Sequence, residues 1–126
     1  VGADDMTKDK ALYKYFNNFM PSYPSSAVPD DTTFPWLTYE VITGAFGDEP
    51  VGITVNLWYR TESESIPNEQ AQALRQYIAL NNIIKCDEGY IWVKPGSPWC
   101  QNLTDEVDAS IKRRYINITL EYLTFN

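Results

Sequence analysis

From Val51 to Tyr59 an apolar residue recurs at every second position. Val51, Ile53, Val55, Leu57 and Tyr59 share one face, and Gly52, Thr54 and Asn56 the other. Period two marks a strand with one buried face in an antiparallel sheet. Trp36–Ile42, bounded by Pro35, Gly44 and Gly47, reads as its hairpin partner, with Ala45–Pro50 as the turn. A second alternation over Arg114–Thr124 sets Ile116, Ile118, Leu120 and Tyr122 against Asn117, Thr119 and Glu121, and predicts the last strand. Gly89 opens a shorter strand, Tyr90–Lys94, which Pro95-Gly96 ends.

Two segments change period. Leu12, Tyr15, Phe16 and Phe19 follow helical spacing over Thr7–Phe19, with Thr7 as N-cap and Pro21 as the stop. Beyond the polar run Glu62–Ser65, Pro67 suits the first turn of a second helix, whose inner stripe is Ala71, Leu74, Ile78 and Ala79, reaching about Asn82. A turn-rich crossing through Pro21, Pro24, Pro29 and Pro35 is too short to be a domain linker, and one helical turn is expected around Asp105–Ser110. The predicted order is α-β-β-α-β-β. The economical packing is an α+β fold: an antiparallel four-stranded sheet with two helices packed on one face.

Composition narrows the function more than the fold. At 126 residues with 44% hydrophobic content, the chain fits one domain with one core. Ten basic against 17 acidic residues leave a net charge of −7. That lacks the cationic footprint needed to displace counterions from phosphates. The one basic run, Lys112-Arg113-Arg114, reads as a solvated or ion-paired strand start. No stretch approaches the apolar length of a membrane span. The first residues lack the basic and apolar regions of a signal peptide. Residues 1–5, ahead of Met6, are read as a flexible extension or cloning remnant, and 6–126 as the single domain. Without a secretory signal the sequons at Asn102 and Asn117 are read as chance matches. Cys86 and Cys100 could close a disulfide, but a domain with a core this size does not need one, and free thiols are expected.

Histidine is absent, which removes the commonest general base and metal ligand at neutral pH and rules out a Ser-His-Asp or Cys-His arrangement within the chain. No phosphate-cradling glycine motif occurs. The carboxylate pairs and clusters remain: Asp4/Asp5, Asp30/Asp31, Asp48/Glu49, Asp87/Glu88 and Asp105/Glu106/Asp108. Each lies in a predicted turn or at a helix start, where such residues serve turns and the helix dipole. Asp105 and Asp108 lack the spacing and glycine of a calcium loop. No catalytic, cofactor-binding or metal residue is assigned. Instead 14% aromatic content, with Tyr23, Phe34, Trp36, Trp92 and Trp99 in or beside loops and strand ends, points to a protein-binding surface wherever those rings are left exposed.

The stretch Gly89-Tyr-Ile-Trp-Val-Lys-Pro-Gly-Ser-Pro-Trp-Cys-Gln101, followed by Asp105-Glu-Val-Asp-Ala-Ser-Ile-Lys-Arg-Arg-Tyr-Ile-Asn-Ile-Thr-Leu-Glu-Tyr-Leu-Thr124, resembles small tail proteins of long-tailed bacteriophages and prophages, the tail terminator or tail completion proteins. Phe34-Pro-Trp-Leu-Thr-Tyr-Glu40 and the strand ending Leu57-Trp-Tyr-Arg60 are similar too, so the resemblance runs from Met6 onward. It implies a structural virion protein without catalytic residues or cofactors, made in the bacterial cytoplasm and located at the tail–neck region. Such proteins form a homo-oligomeric, usually hexameric ring that caps the tail tube, stops its polymerisation and joins the tail to the head. The implied partners are copies of itself, the major tail tube protein and the head-completion or connector proteins, with DNA only passing through the lumen and no membrane. Another neck component (a head–tail stopper or adaptor) and a small ligand-binding α+β domain are the alternatives.

Overall fold

The computed structural model describes residues 7–42, 51–87, 89–104 and 107–124. Helix α1 spans Lys8–Asn17, and Thr7 caps it, its hydroxyl accepting from the Lys10 amide at 3.3 Å. Three strands follow, β1 (Ser22–Pro24), β2 (Trp36–Ile42) and β3 (Val51–Arg60), then helix α2 (Ser65–Leu80). Strands β4 (Ile83–Cys86), β5 (Gly89–Thr104) and β6 (Ile111–Thr124) complete the chain.

The sheet departs from expectation. It has six strands in the order β1-β2-β3-β6-β5-β4, curled into a half-barrel, and it is mixed because β1 runs parallel to β2. The observed order is α-β-β-β-α-β-β-β, not the predicted α-β-β-α-β-β with four antiparallel strands. The reasons are local. β1 is three residues long, includes Pro24 and sits in the proline-rich crossing, so no alternation betrays it. β4 is four residues long, below the length at which a period can be read.

β5 is the larger surprise, because Pro95-Gly96 does not end it. Pro95 lies opposite Ile118 and Cys100 opposite Ile116, so the chain advances five residues on β5 for two on β6. This bulge takes residues 96–99, Pro98 among them, out of the ladder, and pairing resumes from Cys100 to Thr104. Gly96 is required there: an added Cβ would lie 2.6 Å from the Asn117 carbonyl oxygen. β6 begins at Ile111, so the basic run lies inside a strand. Of the helical turn expected around 105–110, residues 105 and 106 lie outside the described residues, and 107–110 form a bend and turn.

The expected pairing of β2 with β3 forms, with Leu37 opposite Leu57 and Val41 opposite Ile53, while the turn expected at Ala45–Pro50 lies outside the described residues. Ile53, Val55, Leu57 and Tyr59 are buried, as are Ile116, Ile118 and Leu120 of β6 and Ile91 and Val93 of β5. Onto this concave face α1 packs Ala11, Leu12, Tyr15 and Phe16, and α2 packs Ala71, Leu74 and Ile78, in one hydrophobic cluster. Ala79 is exposed, and Pro67 and a half-buried Tyr77 complete the stripe instead. Each fully buried Leu, Ile or Phe contributes roughly 1.5–3 kcal/mol by leaving water, which makes this shared cluster the main attachment of both helices. The Tyr77 hydroxyl ties them together, donating to the Tyr15 carbonyl at 2.7 Å.

Candidate functional site

With both helices on the concave face, no helix among the described residues covers the convex face of the sheet. Two groups of residues occupy it. The first is a cross-strand row in which Trp36 of β2 lies opposite Trp58 of β3, and Trp58 opposite Arg113 of β6. The two indoles stack at 6.0 Å with 17° between planes, and Phe34 adds a ring 4.3 Å from Trp36. Guanidinium groups cover the ends, Arg113 at 5.2 Å from the Trp58 ring and Arg60 at 5.0 Å from Phe34. Each such contact is worth about 0.5–1 kcal/mol at a surface. Trp58 Nε1 donates to the buried Thr38 hydroxyl at 3.0 Å, so the row is held rigid.

The second group is at the opposite corner, on β4, β5 and β6. Alternation turns Ile84, Cys86, Ile91 and Val93 inward, which sends Ile83, Tyr90, Trp92 and Leu123 outward. Ile83 pairs with Trp92, and Tyr90 with Leu123, so the four are contiguous. They are 36–48% exposed and make up four of the eight exposed large hydrophobic residues found among the described residues. Concentration of half the exposed apolar residues in one corner marks an interaction surface, where scattered ones would not. Lys94 frames the corner, its ammonium 3.9 Å from the Trp92 ring and 2.8 Å from the Glu121 carboxylate.

The structure thus puts Phe34 and Trp36 in one group and Trp92 in the other. Trp99 packs against the core beneath Arg75, and Tyr23 lines a cleft of about 490 Å³ with Met20, Phe34, Pro35, Tyr59 and Ile66. Trp58 and Arg113 were missed as site residues in the sequence. The signal for Trp58 was present: as the polar-face member of the alternating strand β3, a tryptophan is out of place unless it meets something.

Among the described residues no carboxylates converge on a common site. Asp30 and Asp31 are exposed in the crossing, and Asp87 is exposed in the β4–β5 turn. Asp4, Asp5, Asp48, Glu49, Glu88, Asp105 and Glu106 lie outside the described residues. Asp108 serves its own loop: the Ser110 hydroxyl and amide donate to it at 2.6 and 2.9 Å, and Arg60 at 3.1 Å. These contacts, the Ser110 hydroxyl first, hold its carboxyl below the usual range. No group of three or more His, Cys, Asp or Glu able to hold a metal occurs among the described residues. Both cysteines are free, Cys86 buried and Cys100 half-buried with its thiol pKa raised by burial. No described helix is long and apolar enough to cross a membrane.

The basic run splits by face. Arg113 joins the tryptophan row, Lys112 donates to the Ala109 carbonyl, and Arg114 is fully buried. Arg114 reaches the first turn of α2, where its Nη2 meets Glu64 Oε1 at 2.6 Å and Asn68 Oδ1 at 2.9 Å. What the arrangement offers is therefore two rigid, chemically unlike contact patches on an uncovered sheet face. In comparisons with known proteins, no family model and no curated protein matches the chain.

Proposed function

We propose that this chain is an architectural subunit that acts through protein contacts, as a ring-forming component that caps a phage tail tube and joins it to the head. The observation that carries the reading is the uncovered convex face, with its apolar corner of Ile83, Tyr90, Trp92 and Leu123. A closed ring is a heterologous assembly, in which each subunit needs two different faces. The apolar corner and the aromatic–guanidinium row are such a pair. The row carries tryptophan and arginine, and the corner tyrosine and tryptophan, side chains of the kind that dominate interface energetics. The resemblance over most of the chain supplies the tail assignment, and a net charge of −7 suits a lumen that DNA must pass without sticking. Six strands against two helices favour this reading over a mostly helical adaptor. Negative-stain imaging of the purified protein tests it: rings with a central hole are expected, and a field of single small particles at high protein concentration would count against it.

A further inference from the structure

An open sheet has two edges, and here they are treated differently. At β1 the outward backbone groups belong to Ser22 and Pro24, because Pro21, Tyr23 and Ser25 face β2. The Asn17 side chain accepts from the Ser22 amide at 3.1 Å and donates to its carbonyl at 3.1 Å, standing in for a neighbouring strand. Pro24 has no N–H, and its carbonyl accepts from Ala27 at 2.9 Å. That edge is closed.

At β4 the edge is open. The Val93 amide donates to the Asn82 carbonyl at 2.8 Å, which fixes the alternation: Asn82, Ile84 and Cys86 bond toward β5, and Ile83 and Lys85 direct their N–H and C=O groups away from the sheet. No described residue bonds to these outward groups. Beside them runs a shallow groove of about 260 Å³, whose lining includes Lys14, Asn18, Ile83 and Lys85. Neither Lys14 nor Lys85 has an ion-pair partner among the described residues. On the convex side the apolar corner continues from Ile83 into Trp92.

We propose that the β4 edge is a docking site for an extended acidic segment of another protein, which adds as a seventh strand. The outward groups of Ile83 and Lys85 supply the ladder, and Lys14 and Lys85 attract carboxylates on the incoming strand. Charge decides against a second copy: pairing β4 with its own image would bring two pairs of unpartnered lysines together, which costs free energy at a strand edge. The site does not depend on ring formation, so a monomeric chain would leave it intact and an unoccupied edge would leave the ring reading intact.

The test uses the full chain, labelled with nitrogen-15, and two synthetic probes, acetyl-Glu-Val-Glu-Val-Glu-Val-amide and its counterpart with lysine in place of glutamate. At millimolar concentration the acidic peptide should slow amide exchange at Ile83 and Lys85 at least tenfold and leave Ser22 unchanged, while the lysine peptide does neither. The exposed substitutions Lys14→Glu and Lys85→Glu together should reverse the preference. Ile83→Pro, which removes an outward N–H and no bond to β5, should abolish binding. Read at a protein concentration over which the mass stays fixed, unchanged exchange at both amides, equal effects of the two peptides, or full protection of both amides before any peptide is added (a second copy on the edge) would each overturn the proposal.

Discussion

Glu64 and Arg114 form an ion pair whose two ends sit in different media, and the asymmetry predicts which substitution hurts more. The Arg114 side chain is 0% exposed and that of Glu64 is 48% exposed, with 2.6 Å between Nη2 and Oε1. Replacing Glu64 by alanine leaves a guanidinium in the core with no counter-charge. Its remaining contacts are all uncharged: Asn68 Oδ1, at 3.1 Å from Nε and 2.9 Å from Nη2, the residue 64 carbonyl at 3.4 Å and the Arg113 carbonyl at 3.3 Å. Stranding a buried charge costs about 3 kcal/mol. Replacing Arg114 by methionine strands nothing, because Glu64 and Asn68 are both exposed and rehydrate. It also removes the desolvation cost of the guanidinium and fills most of the volume, so the loss is about 1 kcal/mol. Over 126 residues the unfolding entropy is roughly 0.26 kcal/mol/K, so the expected Tm losses are about 11 °C and about 4 °C. Urea denaturation with unchanged m-values, alongside thermal melts, measures both. If Arg114→Met costs as much as Glu64→Ala or more, the pair is a net stabiliser held by Arg114 hydrogen bonding, and the desolvation reasoning is wrong.

The remaining predictions concern single contacts. Gly96→Ala forces a methyl group against the Asn117 backbone and should lower stability by about 1–3 kcal/mol, while Gly52→Ala, which meets nothing within 4 Å, should be nearly neutral; urea midpoints of the two variants compare them directly. Phe16, fully buried and stacked on Tyr39, should cost about 3–5 kcal/mol as alanine, read from the same unfolding curves. The Asp108 carboxyl is lowered by Ser110 and then Arg60, so its contribution is present above the unfolded carboxylate pKa and is lost as pH falls through the folded one; Asp108→Asn should flatten stability against pH below about pH 4. Burial pushes Tyr39 and Tyr59 up to about 12, so their contribution is full below pH 10 and lost as pH rises towards 12. Ultraviolet titration should show at least these two tyrosines ionising late or only with unfolding.

Long alternations were legible in the sequence, and short or bent elements were not. β2 and β3 carry seven and ten residues with consistent faces, and their bounds were readable to the residue. β1 and β4 hold three and four residues and owe their conformation to partners: β1 to β2 and the Asn17 side chain, β4 to β5 and α1. No local pattern encodes that. In β5 Pro95, which normally would end a strand, is the last paired residue before a bulge that holds Gly96, a distinction that depends on β6 running beside it. Arg114 shows the same limit: at a core position of a strand, an arginine breaks the apolar pattern, and only the position of α2 explains it. Of the candidate surface, the aromatic excess was visible from composition alone. Which rings meet was not, because Trp36, Trp58 and Arg113 become neighbours only through the register of β2, β3 and β6.

The central claim is that the chain functions through assembly with copies of itself and with tail and neck proteins. Light scattering on a sizing column, across a wide protein concentration series, tests it most directly. The account predicts a mass that rises to a closed multiple of 14.5 kDa, the hexamer, and stays there on further concentration. A mass of one chain at every concentration, or one that grows without a plateau, would contradict it.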